Sequence, residues 1–153
     1  MPSVKNKWVK PGGSFNYTEG QKVLNQDAST TYPTLCAVQI RGVAGGVAVV
    51  EPADASTAEG ITGRILFLRH AIPHGRYGVG TPWIIATGTA RNPIDTDAAT
   101  VDDPVYIDDT GTGGWTLTAP STGSPAGFDR IIGYVLVKDP INGAISFANT
   151  NAL

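Results

Sequence analysis

The residues best suited to chemistry are two histidines, His70 and His74, in the stretch RHAIPHGRYG. Two imidazoles at this spacing bind zinc when a helix places them on one face, but Pro73 lies between them and breaks such a helix. Arg69 and Arg76 flank the pair. The other interpretation is a basic loop that contacts a carboxylate-bearing protein surface, and the composition of the stretch favours it.

Aspartates supply a second candidate site, because several carboxylates brought together bind calcium. The set is Asp95, Asp97, Asp102, Asp103, Asp108 and Asp109. Its spacing does not match an EF-hand, which needs a glycine at the sixth loop position and a glutamate at the twelfth. Aspartate is also frequent in surface turns. We therefore predict turns here, and no metal or cofactor.

The sequence offers little for nucleophilic catalysis. Its single cysteine, Cys36, has no partner for an internal disulfide and lies in an apolar stretch with no basic neighbour to lower its pKa. No GxSxG motif occurs, and the glycine-rich stretch GVAGGVAV lacks the Lys-Ser/Thr pair of a phosphate-binding loop. We predict a buried thiol and a protein that is not an enzyme.

Length and composition favour a single domain and argue against a nucleic-acid-binding protein or a membrane protein. A chain of 153 residues is the size of one domain, and its net charge of −2 argues against a nucleic-acid partner. No run of apolar residues is long enough for a spanning helix, and no apolar stretch follows the N-terminal lysines as in a signal peptide, so we expect no membrane partner. The 19 glycines, 11 prolines and only 16% charged residues favour short strands joined by turns.

Residues 35–153 carry the strand pattern. Short apolar and β-branched runs, bounded by Gly, Pro, Asp and Thr, predict strands at residues 35–41, 47–50, 64–70, 83–90, 104–108, 115–119, 130–138 and 144–148. In the third of these, apolar residues also recur at helical intervals, so a short helix remains the alternative. The predicted fold is all-β, a small antiparallel β-barrel or β-tulip-like domain.

Residues 1–34 are polar, mildly basic and interrupted by prolines and glycines, which predicts an extended N-terminal arm. Three aromatic residues, Trp8, Phe15 and Tyr17, indicate that the arm docks onto something, since disordered tails carry few aromatics. The sequence leaves two alternatives for the position of the arm. It reaches a neighbouring protein, or it lies as a strap over its own barrel.

Short motifs in the second half resemble those of bacteriophage capsid decoration, or cement, proteins. One is a strand start with Asp103, Val105, Tyr106 and Asp108, followed by a Gly/Thr turn. Another is the strand RIIGYVLVK, with a short last strand GAISF after it, and the stretch WIIATGTA resembles an upstream strand of the family. The resemblance covers about residues 80–147.

The resemblance implies a structural protein of the virion, located on the capsid exterior and made in the cytoplasm of a bacterial host. It implies a homotrimer bound to the major capsid protein at three-fold and quasi-three-fold positions, where it clamps adjacent capsomers and stabilises the expanded head. We predict that the arm and the basic loop face the capsid through Lys5, Lys7, Trp8, Lys10, Phe15, Tyr17, Arg69, His70, His74 and Arg76.

Two other functions remain open. The chain is alternatively a phage tail or fibre component, or a carbohydrate-binding β-domain displayed outside, in which Trp83 and Trp115 form an aromatic platform for a sugar. A small trimeric enzyme with a dUTPase-like fold is the third possibility, but the motifs for ligand binding are missing from the sequence.

Overall fold

The computed structural model describes residues 20–148, which form ten strands and two 3-10 turns. The strands are β1 Gln21–Asn25, β2 Ala37–Ala44, β3 Val47–Pro52, β4 Ile65–Leu68, β5 Tyr77–Thr81, β6 Trp83–Thr87, β7 Pro104–Ile107, β8 Trp115–Thr116, β9 Ile131–Val137 and β10 Ala144–Ala148. The 3-10 turns span Glu59–Ile61 and Pro120–Thr122. Within residues 20–148, no helix is long and apolar enough to cross a membrane.

The first five strands close into a barrel in the order β1-β3-β2-β4-β5, and β5 pairs with β1 to complete it. All its strand pairs are antiparallel except β1 with β3, which is parallel. Strands β2 and β3 form a hairpin whose turn residues, Gly45 and Gly46, have φ of 57° and 80°. Both values lie in the left-handed region that glycine adopts without strain, so the two glycines fix this turn.

The last five strands form an open antiparallel sheet in the order β6-β10-β9-β7-β8. One face of this sheet covers the side of the barrel. The contact begins where the chain passes from β5 to β6 through the single residue Pro82, so neighbouring strands in sequence belong to different sheets.

Strand β4 shows how the two sheets share a core, because all four of its residues are buried. Leu66 and Leu68 point into the barrel, while Ile65 and Phe67 point out of it towards the second sheet. The ring of Phe67 packs against Phe147 of β10, with ring centroids 5.4 Å apart. A strand with two buried faces has a continuous run of apolar residues in its sequence. Such a run does not alternate, which explains why the sequence of β4 did not distinguish a strand from a helix.

The structure confirms an all-β domain that contains a barrel, and within the predicted range 64–70 it has the strand Ile65–Leu68 rather than a helix. Three features differ from expectation. Tyr77–Thr81 forms the barrel strand β5, where the sequence pattern predicted no strand. Residues 20–34, predicted as part of the arm, belong to the barrel: Gln21–Asn25 is β1, and Tyr32 is buried and bridges to Ile72. The barrel is also not purely antiparallel, because β1 pairs in parallel with a strand more than twenty residues away.

Candidate functional site

The outer face of the second sheet is the first candidate site, and it carries no charge. None of the residues in β6, β7, β8, β9 or β10 is acidic, basic or histidine. The large apolar side chains on this face are 40–56% exposed: Trp83, Ile85, Tyr134 and Leu136. We call these four residues the apolar face. A group of exposed apolar side chains on one sheet face is typical of a protein-interaction surface.

Strand register sets the shape of the apolar face. Ile85 of β6 lies opposite Ser146 of β10, which in turn lies opposite Tyr134 of β9. Trp83 lies opposite Ala148 in the adjacent part of the sheet. Small residues on the central strand thus separate larger ones on its neighbours, so Ile85 and Tyr134 lie two strand spacings, about 10 Å, apart. The register therefore sets the spacing of the apolar side chains on this face.

An irregularity in β9 enlarges the apolar face. The register between β9 and β10 shifts between Val135 and Val137. As at a β-bulge, the strict alternation of the strand is interrupted there, and Leu136 and Val137 are both exposed while Val135 is fully buried. Two consecutive apolar side chains therefore face solvent.

The basic loop, residues 69–76, is the second candidate site, and it closes one end of the barrel. Ile72 exchanges backbone hydrogen bonds with Tyr32 at 2.8 and 3.0 Å, and both side chains are buried in the barrel interior. Gly78 makes room for this plug, since a Cβ there would lie 2.3 Å from the Ile72 side chain. The apolar plug holds the loop in place while Arg69, His70, His74 and Arg76 are all exposed around it.

A buried amide fixes the loop further. The Asn25 side chain is fully buried, and its Nδ2 donates to the carbonyls of Ile72 at 2.9 Å and Thr30 at 2.8 Å. Backbone N–H groups of Ser29 and Thr30 donate to Asp27, and these bonds lower the pKa of that carboxyl, with a smaller contribution from His74. The basic loop is thus a well-held surface with one acidic neighbour.

Six of the predicted contact residues lie outside the described part of the chain: Lys5, Lys7, Trp8, Lys10, Phe15 and Tyr17. The other four, Arg69, His70, His74 and Arg76, come together in the basic loop. The two histidines share this loop with no third ligand. Among residues 20–148, no three His, Cys, Asp or Glu side chains are grouped as a metal site requires.

The aspartates act as turn residues where the structure describes them. Asp95 accepts from the N–H of Asp97, and Asp103 accepts from the N–H of Thr100, at 2.9 Å in both cases. Asp108 accepts from the hydroxyl of Thr110 at 2.8 Å. These side-chain contacts stabilise tight turns and leave the carboxylates dispersed, so the structure agrees with the prediction of turns.

Cys36 is buried, as the sequence predicts, and its side chain is 2% exposed. Burial raises the pKa of its thiol to about 12, with a smaller contribution from Asp108. The Sγ atom lies 3.3 Å from the carbonyl oxygen of Thr112. At neutral pH this group is a protonated thiol, which is a poor nucleophile.

Trp83 and Trp115 do not form one platform. Trp83 is exposed on β6 at one edge of the second sheet, while Trp115 belongs to β8 at the other edge. The ring of Trp115 turns to the core, with its centroid 6.4 Å from that of Phe147. The pair therefore cannot stack on one sugar ring.

Sequence reasoning missed the apolar face, although its residues lie on predicted strands. A stretch such as RIIGYVLVK looks fully buried, and only the absence of charge across several strands hints at a second apolar surface. In comparisons with known proteins, no family model matches the chain, and no curated protein matches it. The likeness to decoration proteins rests on the short motifs described above.

Proposed function

We propose that the protein is a non-enzymatic structural component of a bacteriophage virion that binds the outer surface of the capsid. It acts as a homotrimer at three-fold and quasi-three-fold positions, contacts the major capsid protein and clamps adjacent capsomers of the expanded head. The observation that carries this proposal is the uncharged outer face of the second sheet, with its four exposed apolar side chains. The resemblance of the short motifs to those of decoration proteins supports the capsid as the binding partner.

The apolar face is suited to contact between copies. Permanent interfaces are more apolar than transient ones and are depleted in charge at their centre, as this face is. In a trimer each copy covers the apolar face of a neighbour, and one particle then presents three capsid-binding surfaces. Multivalent binding of this kind converts a modest affinity at one site into a large overall affinity.

The basic loop is suited to contact with the capsid. Its four basic side chains surround an apolar plug at one end of the barrel, and the plug holds the backbone that carries them. A positive surface of this kind binds a complementary acidic surface and speeds the encounter with it. The N-terminal lysines, Lys5, Lys7 and Lys10, add charge of the same sign.

The test is sedimentation of the purified chain with undecorated phage heads. The double variant Arg69→Glu/Arg76→Glu reverses two charges in the basic loop and is expected to weaken head binding about tenfold or more. The matched control, Arg64→Glu/Arg91→Glu, reverses two exposed arginines outside the loop and is expected to bind as the unchanged chain does. Equal binding by both double variants contradicts the assignment of the loop.

One observation favours the alternative function, a carbohydrate-binding β-domain displayed outside. Trp83 is 55% exposed and shares the outer face with Tyr134, which is 43% exposed, so aromatic rings are available to a ligand. A carbohydrate partner predicts that soluble oligosaccharides quench Trp83 fluorescence, and that Trp83→Ala abolishes the quenching. The capsid proposal predicts no such quenching.

A further inference from the structure

The open edge of β6 is the feature that the proposed function leaves unused. The barrel is closed, and the second sheet ends in β8, only two residues long, and in β6, with five. Proteins protect exposed strand edges with lysine, proline, bulges or shortness. The sequence of β6, WIIAT, contains neither lysine nor proline, and its pairing with β10 shows no register shift. Among the strands of residues 20–148, β6 therefore has the one edge without such protection.

Backbone geometry shows which groups face the edge. The N–H of Gly88 donates, at 2.8 Å, to a carbonyl of the chain that leads into β10, so the even-numbered residues of β6 bond to β10. Since antiparallel pairs alternate, the N–H and C=O groups of Trp83, Ile85 and Thr87 point to the open edge. Within residues 20–148, only the Trp83 carbonyl among these groups has a partner, the hydroxyl of Thr81 at 3.0 Å. A carbonyl oxygen accepts two bonds, so the edge keeps its full set of donors and acceptors.

A groove of about 600 Å³ runs beside this edge, between β6 and the barrel. Its walls include Ile84 and Ala86 from β6, Leu35 from the chain before β2, and Trp115 from β8. Arg69 is the only charged residue that lines it. A strand added at the edge would place every second side chain in this groove. The occupant therefore needs short apolar side chains at alternate positions and no basic residue to meet the arginine.

Strand β6 itself meets these requirements. It carries no charge, so two copies of it bring no like charges together. Its groove-side residues, Ile84 and Ala86, are apolar and occupy alternate positions. Each copy offers this one unprotected edge, so the contact has to join the edge to itself. Two antiparallel strands do so about a two-fold axis, the commonest symmetry between identical chains.

One register pairs all the groups at the edge. With the axis at Ile85, that residue lies opposite Ile85 of the second copy, and Trp83 lies opposite Thr87 of the second copy on either side of the axis. Every edge-facing N–H and C=O group then meets its complement, in about six main-chain hydrogen bonds. On the outer face, isoleucine meets isoleucine and tryptophan meets a β-branched residue, which are favourable cross-strand pairs.

We propose that the open edge of β6 is an interface with a second copy of this chain, in which the two β6 strands pair antiparallel about Ile85. The barrel-side groove of each copy receives the groove-side residues of the other, Ile84 and Ala86.

The contact is short, and its size sets where it forms. A pair of five-residue strands is small beside the roughly 20–30 residues per side of a standard interface. We therefore expect a weak pair in dilute solution and a stronger one wherever several copies are held close together. The pairing uses the backbone of β6, whereas the proposed trimer uses side chains of the outer face, so this inference does not rest on the proposed function.

Disulfide trapping tests the register in the full-length chain. Ile85→Cys places two thiols on a hydrogen-bonded pair, for which Cα atoms lie about 5.5 Å apart, within disulfide range. The matched control is Thr87→Cys, which is exposed on the same strand, but its Cα lies about 14 Å from that of Thr87 in the second copy. The double variant Trp83→Cys/Thr87→Cys again sets thiols opposite each other. Cys36 is buried and stays in place.

Concentrated protein is mildly oxidised, and bridged dimers are measured by non-reducing electrophoresis and mass spectrometry. The expected result is a dimer that forms at least about tenfold faster in the Ile85→Cys variant than in the Thr87→Cys variant. In the double variant, position 83 should be bridged to position 87 of the other copy. Equal rates for the two single variants, or no bridged dimer in any variant, overturn the proposal.

A backbone variant separates the edge from the outer face. In the Ile85→Cys chain, Thr87→Pro removes an N–H that points to the open edge and keeps the ladder to β10, whereas Thr87→Ala keeps the N–H. With circular dichroism unchanged, the proline variant should form bridged dimers at least about tenfold more slowly, and the alanine variant at the original rate. Equal rates would place the contact on the outer face and overturn the proposal.

Hydrogen exchange of the Ile85 and Thr87 amides in dilute monomer is the last check. Fast exchange is expected there, because the edge is open in a single copy. Protection would show that another part of the same chain occupies the edge, and it would overturn the proposal. Head binding is measured separately, so failure of this inference is distinct from failure of the proposed function.

Discussion

The barrel and the second sheet differ in their strand edges and in the charge of their exteriors. The barrel has no open edge, and charged residues lie on its exterior: Arg41 pairs with Glu51 at 2.8 Å, and the Lys22 ammonium lies 4.6 Å from the ring centre of Tyr77. The second sheet has an open edge and an uncharged exterior. The barrel thus has a closed hydrogen-bond ladder and a charged exterior, whereas the second sheet exposes an edge and apolar side chains.

The two regions nevertheless share their core. Phe67 of the barrel is fully buried against Phe147 of the second sheet. The barrel and the second sheet therefore differ in their surfaces and not in their core.

The largest effect is expected where the regions meet. Phe67→Ala removes a ring that is fully buried between barrel and sheet and should lower the free energy of unfolding by about 3–5 kcal/mol. Urea titration, followed by both circular dichroism and tryptophan fluorescence, measures it. Because the core is shared, both signals should report a single transition. Two separate transitions would show that the regions unfold independently.

The second prediction concerns the exteriors. Ile85→Asp adds a charge to the apolar face and should weaken self-association about 100-fold, or about 3 kcal/mol, while the fold is kept. Val43 on the barrel hairpin is 75% exposed, and Val43→Asp is the matched control. Light scattering across a concentration series separates them. Loss of association in the Val43 variant, or its survival in the Ile85 variant, would contradict the assignment of surfaces.

The third prediction tests how the barrel holds its basic loop. Asn25→Ala removes a buried amide that bonds the carbonyls of Ile72 and Thr30, and should cost about 2 kcal/mol of unfolding free energy. Hydrogen exchange should accelerate in residues 69–76 more than in the second sheet. Uniform acceleration across both regions would mean that Asn25 supports the whole fold rather than the loop.

The smallest effect, taken per pH unit, is a pH dependence of stability inside the barrel. The thiol of Cys36 has its pKa raised from 9.0 to about 12 by burial, and burial likewise raises the pKa of Tyr32 from 10.0 to about 12. A raised acid pKa means that the folded state retains the proton longer, so unfolding free energy falls as pH rises from 9 towards 12. Each group contributes at most about 1.4 kcal/mol per pH unit.

The variant Cys36→Ala isolates the part due to the thiol. Its stability at pH 8 should drop slightly, because a small cavity remains, but its decline between pH 9 and pH 11 should be shallower than that of the unchanged chain. Urea titration at each pH gives the two slopes. Parallel slopes would contradict a buried, protonated thiol.

The elements that the sequence predicted are those with local signals. The β2–β3 hairpin is marked by its glycine turn. Strand β9 is marked by a run rich in β-branched residues, and β10 by a short apolar run after the turn residues Asn142 and Gly143. Strand β1 had no such signal. Its three buried residues are consecutive rather than alternating, and its pairing with β3 is parallel and non-local, so nothing near it in sequence indicates a strand.

One of the two candidate surfaces could be predicted from the sequence, and the other could not. The basic loop was visible because its charges are clustered within eight residues. The apolar face was not, since Ile85 and Tyr134 are neighbours only through the pairing of β6 and β9 with β10, and an exposed isoleucine looks the same in sequence as a buried one. Tertiary pairing, rather than local propensity, decides which apolar residues remain outside.

The most direct test of the proposed function is to mix the purified chain with undecorated phage heads, pellet the heads, and measure the bound mass and their resistance to heat. We expect saturable binding of trimers at a fixed number per head, together with heads that survive higher temperature. A chain that remains monomeric in the supernatant, with heads unchanged in heat resistance, would contradict it.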